Sequence, residues 1–172
     1  MSEYRRAIVS GGCYFFTLVT HARKRLLEDQ ENIDRLREGF RRTMIKYPFS
    51  IDAIVILPDH LHTVWRLPRN DADFSLRLRL IKHYLASGVS ATTNHRGEKR
   101  VWLRRFWEHL IRDEEDWRGH VDYIHYNPVK HGYVRYPGEW RWSSYLKACG
   151  QGWYPSGWGG QEPSNLVGMD WE

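Results

Sequence analysis

Residues 51–68, "IDAIVILPDHLHTVWRLP", decide how the rest of the chain is read. Ile51 to Leu57 and Leu61 to Leu67 are two apolar, β-branched runs, and Pro58 with Asp59 between them either closes a hairpin or kinks a single strand. Within this stretch stand His60 and His62, one residue apart. Side chains of a strand alternate between faces, so both imidazoles project to one side and Leu61 to the other. Two neutral imidazoles on one face can converge on a single divalent ion through their lone pairs. Ordinary packing also produces such pairs, so a third ligand and a reacting group are needed to give the pair chemical meaning.

Working outward, "CYFFTLVT" (13–20) is aromatic and β-branched and reads as a strand, while residues 31–47 place Ile33, Leu36, Phe40 and Met44 at helical spacing. After the two central runs, "DFSLRLRLIKHYLASG" puts Phe74, Leu78, Ile81 and Leu85 on one face and ends at Gly88. Residues 89–100 read as a loop and 101–112 as a strand; Asp113 is a candidate N-cap for a further helix bounded by Asn127 and Pro128. Strand, helix, two strands, helix, strand and helix predict an α+β sandwich of the ferredoxin-like split βαβ type, an antiparallel sheet with helices on one face. From 149 the composition turns to glycine and tryptophan without periodicity. The expected organisation is one domain over 1–148 and a tail over 149–172.

Lys and Arg together number 26 against 21 Asp and Glu, a formal charge of +5, and aromatics reach 15% with nine Trp and ten Tyr. Basic and aromatic surface together suit phosphate neutralisation and base stacking, which points toward single-stranded nucleic acid. Cys13 and Cys149 stand far apart with no metal or disulfide spacing, and no run is long and apolar enough for a bilayer or a signal core. The expectation is a soluble, cytoplasmic protein.

The segment "HVDYIHYNPVKHG" (120–132) supplies both missing parts. At about 100° per residue, Trp117, Val121 and Ile124 form a stripe that faces the sheet, and Tyr123 and Asn127, four residues apart, share a flank beside it with His120 and Asp116. Tyr126 and Asp122 point elsewhere. His125, on the other side, reads as structural or solvent-facing. Tyr123 offers a phenol, and Asn127 an amide oxygen, from one edge of one helix; packing and helix termination are their bland alternatives.

The combination of "LPDHLHTVW" (57–65) and "VDYIHYNPVKHGYV" (121–134) resembles the single-tyrosine HUH transposases. Within them it is most similar to the REP-associated tyrosine transposases, whose pattern also matches "MSEYRR", "GGCYFFT", "RFWEHLIRD" and "WRWSSY". The resemblance runs from Met1 to about Lys147. It implies the HUH nuclease fold and nicking of single-stranded DNA beside repetitive extragenic palindromic hairpins. Tyr123 would be the nucleophile of a 5′-phosphotyrosine intermediate, with Mg²⁺ or Mn²⁺ held by His60, His62 and Asn127. A bacterial, nucleoid-associated setting follows from the same likeness.

Around this centre, His120 is a candidate proton relay, and Glu108 with His109 could orient a ligand from behind. Arg5, Arg6, Arg77, Arg79, Lys82, Arg104, Arg105 and Lys130 are candidate DNA contacts, as are Lys99 and Arg100; a solvated helix face carries such charges too. The readings set against an active nuclease are a hairpin-binding regulator and another HUH nuclease such as a replication initiator or relaxase. A monomer is favoured over a homodimer, and whether the site forms in cis or in trans is left open.

Overall fold

The computed structural model describes residues 7–171, so Arg5 and Arg6 lie outside the described residues. Strand β1 (Cys13–Val19) is followed by helix α1 (Gln30–Lys46), strands β2 (Ser50–Ile56) and β3 (His60–Arg66), helix α2 (Phe74–Gly88), and strand β4 (Trp107–Leu110). Helices α3 (Glu114–Lys130) and α4 (Tyr145–Gly150) follow, with short 3-10 turns between the longer elements and after α4. The four strands form one sheet in the order β2-β3-β1-β4, with every neighbouring pair antiparallel. Strand β3 therefore lies between β1 and β2, which are joined by α1: the split βαβ arrangement, doubled by β3-α2-β4.

Pro58 and Asp59 close a hairpin rather than kink a strand. Ile56 pairs with Leu61, and the Leu57 amide donates to the His60 carbonyl at 2.8 Å. Asp29, Asp73 and Asp113 cap α1, α2 and α3 by accepting from the amide three residues on, which satisfies one otherwise orphaned donor in each helix. The strand expected over 101–112 shrinks to Trp107–Leu110. Residues before it run irregularly, joined to the end of β1 by a bridge between Thr20 and Trp102 and by the Leu103 amide, which donates to the Val19 carbonyl at 2.8 Å.

The antiparallel α+β sheet stands as expected, but its helices do not all lie on one face. Tyr14, Phe16 and Leu18 of β1, with Leu61 and Trp65 of β3, pack against Leu36 and Phe40 of α1 and Leu78, Ile81 and Leu85 of α2. The alternate residues, Phe15, Val64, Ala53 and Val55, pack against Val121, Tyr123 and Ile124 of α3 on the other side. Both faces of the central strands are apolar, so each must be covered; fully burying one such side chain contributes about 1.5–3 kcal/mol. A helix on one side alone would leave Phe15 and Val64 in water.

Helix α3 also outruns its expected end. Pro128 sits inside it, and the stop comes at Gly132, whose φ of 71° lets the chain turn while the His131 amide bonds the Asn127 carbonyl. A proline in the last turn removes one donor without breaking the helix, so Asn127 is held at a helical position. Beyond α4, the glycine- and tryptophan-rich segment packs along α3. Trp153 and Trp171 join the α3-side core, and Asn165 donates to Asp122 at 2.9 Å. Among the described residues no helix is long and apolar enough to cross a membrane.

Candidate active site

The histidines of β3 point to the α3 face, as the alternation requires. His60 and His62 are buried, with ring centroids 5.0 Å apart. His60 Nδ1 donates to the Asp59 carboxylate at 2.6 Å. Burial alone would raise the Asp59 carboxyl, but hydrogen bonds from His60 and Arg23 outweigh it and hold it below its usual range. His62 Nδ1 lies 2.8 Å from Thr17 Oγ1, whose own hydrogen goes to the Trp171 carbonyl. Both rings are thereby set with the proton on Nδ1, which leaves the lone pair on Nε2, the form a metal ligand needs.

Tyr123 comes to this face from α3 of the same chain. Its ring lies 5.3 Å from that of His62 and 6.2 Å from that of Phe15. Asn127, one turn on, is fully buried, and neither its Oδ1 nor its Nδ2 finds a hydrogen-bond partner among the described residues. An orphaned buried amide costs about 1–3 kcal/mol. An amide oxygen kept without a partner on the tyrosine flank fits a divalent cation, which takes oxygen and imidazole donors and leaves positions for phosphate oxygens.

Lys130, read from sequence as a DNA contact, completes this flank two turns from Tyr123. Its ammonium donates to the Tyr123 hydroxyl at 3.1 Å, pairs with Asp170 at 3.1 Å, and lies 4.9 Å from the centre of the phenol ring. The i, i+7 spacing was the signal that could have placed it here. Tyr123 is only 2% exposed, because Trp171 covers it: the indole lies 4.8 Å from the phenol and its backbone amide donates to the hydroxyl at 3.3 Å. Nothing in the sequence of the tail announces this contact.

A second cluster adjoins the first. The Asp116 carboxylate accepts from His109 Nε2 at 2.8 Å and from the Arg112 amide and guanidinium, and His120 Nδ1 lies 3.2 Å from its other oxygen. Burial tends to raise the Asp116 carboxyl, but these donors hold it at about 2. Burial lowers His120 to about 4, so its ring is neutral at pH 7. His109, Asp116 and His120 lie close enough together to share an ion. Within the cluster the Asp116 carboxylate is saturated by His109 and Arg112 and His120 Nδ1 bonds the Asp116 carbonyl at 2.8 Å, while the buried His120 Nε2 finds no partner among the described residues.

Several sequence expectations change in three dimensions. Glu108 pairs with Phe16 and so faces the α1–α2 side of the sheet, where it cannot orient a ligand beside His60 and His62. Arg77 is no DNA contact. It is 1% exposed, its guanidinium grips Asp71 at 2.7 and 3.1 Å and also donates to the carbonyls of Tyr47, Pro48 and Asp73. Lys82 donates to the Leu103 carbonyl at 2.7 Å, and burial lowers it to about 8. His125 is buried between Tyr154 and Ser144 at 2.7 and 2.8 Å, a structural role.

Arg79, Arg100 and Arg104 are exposed, and with Lys82, Arg96 and Lys99 they line a groove of about 930 Å³ between α2 and the loop before β4. Glu98 is the one acidic residue in its lining. His21, just past β1, also lines it, and Val19 at the end of β1 pairs with His60. The groove thus opens at the end of the sheet that carries the histidines. Arg105 is exposed beside it.

Comparison with known proteins bears on this arrangement. The family described as "Transposase IS200 like" matches residues 8–110. An Escherichia coli K12 protein named "REP-associated tyrosine transposase" is 43% identical over 161 residues, covering 93% of this chain and 92% of its own. A Haemophilus influenzae chain is 40% identical over 176 residues, 98% of this chain and 99% of that one. The solved structure described as a REP-associated tyrosine transposase bound to a REP hairpin superposes with a TM-score of 0.80 at 40% identity, over 96% of each chain. The family match covers the sheet and the longer likenesses continue over α3, and the chain belongs to the IS200-like transposases, among the REP-associated tyrosine transposases.

Proposed function

We propose that this transposase nicks single-stranded DNA beside palindromic hairpins, with Tyr123 as nucleophile. The observation that carries the reading is the placement of the Tyr123 phenol 5.3 Å from His62, one turn from an orphaned buried Asn127 amide. The Tyr123 oxygen attacks the scissile phosphorus as the P–O3′ bond breaks. The phenol proton is lost, the departing 3′ oxygen takes up a proton, and a 5′-phosphotyrosine remains. A free phenol has a pKa near 10; the Lys130 ammonium at 3.1 Å stabilises its anion. His60, His62 and Asn127 would hold Mg²⁺ or Mn²⁺, which when bound polarises the phosphate and steadies the leaving oxygen. Asp59 and Thr17 keep the two imidazoles in the ligating tautomer. His120 stays neutral beside them and is available to pass on a proton.

The solved relative bound to a REP hairpin supports hairpin DNA as the substrate. The basic groove is the proposed seat of the duplex stem. It offers arginines that can meet phosphates, while Trp102 is 8% exposed and presents little ring surface to bases. The covered state of Tyr123 favours a second reading, a hairpin-binding protein that seldom turns over.

A denaturing gel of labelled hairpin oligonucleotides with unpaired flanks tests the choice, in Mg²⁺, Mn²⁺ or EDTA. A protein-linked, metal-dependent product that disappears with Tyr123→Phe is the expected result. Tight binding with no nick in either metal overturns the catalytic reading.

A further inference from the structure

We infer that Trp107, with the His109 ring beside it, is a stacking platform for an unpaired nucleobase of the strand that Tyr123 attacks. This rests on the reading above for where the strand lies. Trp107 is 39% exposed on β4, at the open edge of the sheet, and it is not part of either core cluster. Thr17 pairs with His62 on one side and with Trp107 on the other. The indole therefore stands in one cross-strand row with a candidate metal ligand, on the same face, and strand spacing puts their backbones about 10 Å apart.

The ring is also held. Phe15 meets it edge-on at 5.5 Å, and His109 lies nearly parallel to it, 8° apart with centroids at 6.0 Å. His109 is itself fixed by the Asp116 carboxylate at 2.8 Å. The parallel series continues inward: His109 on His120 at 4.6 Å and 17°, then His120 on Trp171 at 3.9 Å and 9°. Trp171 in turn abuts Tyr123. A ladder of flat rings thus leads from solvent to the nucleophile, and the ring partners of its outer rung among the described residues are Phe15 and His109.

Nucleobases suit such a rung, because every base has a π-face and aromatic stacking tolerates any sequence. Charge agrees with this occupant. Exposed Arg105 precedes Trp107 by two residues, and the Arg112 side chain, 72% exposed, follows β4; both can meet the phosphates that flank a stacked base.

The test places 2-aminopurine at each unpaired position of a hairpin oligonucleotide in turn and follows its fluorescence on binding to the full-length Tyr123→Phe protein. One or two positions are expected to quench. Adding Trp107→Ala removes that quench and weakens binding between about fivefold and a hundredfold, whereas Trp107→Phe restores most of it. An abasic site at the quenched position weakens binding by a similar factor and makes Trp107→Ala harmless. Trp107→Ala also gives up the contacts with Phe15 and His109 and so lowers the melting temperature, and the comparison of intact with abasic strands separates that loss from a lost stack. Trp107→Ala that leaves the quench intact, or that weakens intact and abasic strands equally, overturns the inference. Because the readout is binding, a protein that quenches yet never nicks keeps the platform and removes only the catalytic reading.

Discussion

Replacing Asn127 by leucine should make the metal-free protein more stable and its metal response weaker. The amide is fully buried, and both polar atoms are without partners among the described residues. Each such atom costs about 1–3 kcal/mol of desolvation, and an apolar group of similar shape removes that cost. Counting only one atom, because the larger leucine must displace its neighbours slightly, the gain is about 1–3 kcal/mol. A chain of this size shifts its melting temperature by about 2–4 °C per kcal/mol, so the rise is about 2–12 °C. The helix itself is indifferent to the change, since the Asn127 carbonyl keeps its bond from the His131 amide. Thermal unfolding in EDTA and in a Mn²⁺ series separates the two effects. A ligand at a hundred times its dissociation constant adds about 2.7 kcal/mol to the state that binds it, so the parent's transition climbs with Mn²⁺ while that of Asn127→Leu stays nearly flat. If Asn127→Leu melts below the parent in EDTA, or climbs with Mn²⁺ as steeply, the amide is not an idle ligand and the reasoning is wrong.

Other expectations follow from neighbouring parts of the molecule. Arg77→Met should lower the melting temperature rather than DNA affinity. Breaking a buried pair costs about 3–5 kcal/mol, and because Asp71 is one-third exposed the low end applies, a fall of about 6–12 °C; reduced hairpin binding at unchanged melting temperature would restore Arg77 as a contact. Burial holds His120 at about 4 and His125 at about 3, below the ordinary 6.5. The unfolded chain therefore takes up protons first, and stability is full above pH 6.5 and drains away toward pH 4, with a slope of up to about 1.4 kcal/mol per pH unit for each ring. Denaturant unfolding at pH 7, 6 and 5 reads this slope, and a level profile would contradict it. Trp171→Ala takes the indole off Tyr123 and leaves the backbone carbonyl that accepts from Thr17, so nicking should speed up several-fold in the same gel assay; an unchanged rate would show that the cover does not limit access.

Local chemistry alone made much of this protein legible. Strand alternation put His60 and His62 on one face, because a period of two leaves no other choice. Helical spacing put Tyr123 and Asn127 on one flank of α3, and an aspartate at residue 113 marked where that helix begins. The order of elements was enough for the split βαβ sheet, since apolar patterning is written residue by residue. Tertiary structure decided what depends on partners distant in sequence. Arg77 looked like any exposed cation until Asp71 and three carbonyls enclosed it. Glu108 and His109 take opposite faces by strand alternation alone, but only the pairing of β4 with β1 decides that Glu108 meets the α1–α2 side and His109 the α3 side. The second covering of the sheet by α3 and the seat of Trp171 on His120 join segments whose meeting no local period encodes, whereas the approach of Lys130 to the phenol follows the i, i+7 spacing within α3 itself. Side-chain periodicity fixes which face a residue takes; only packing decides what that face meets.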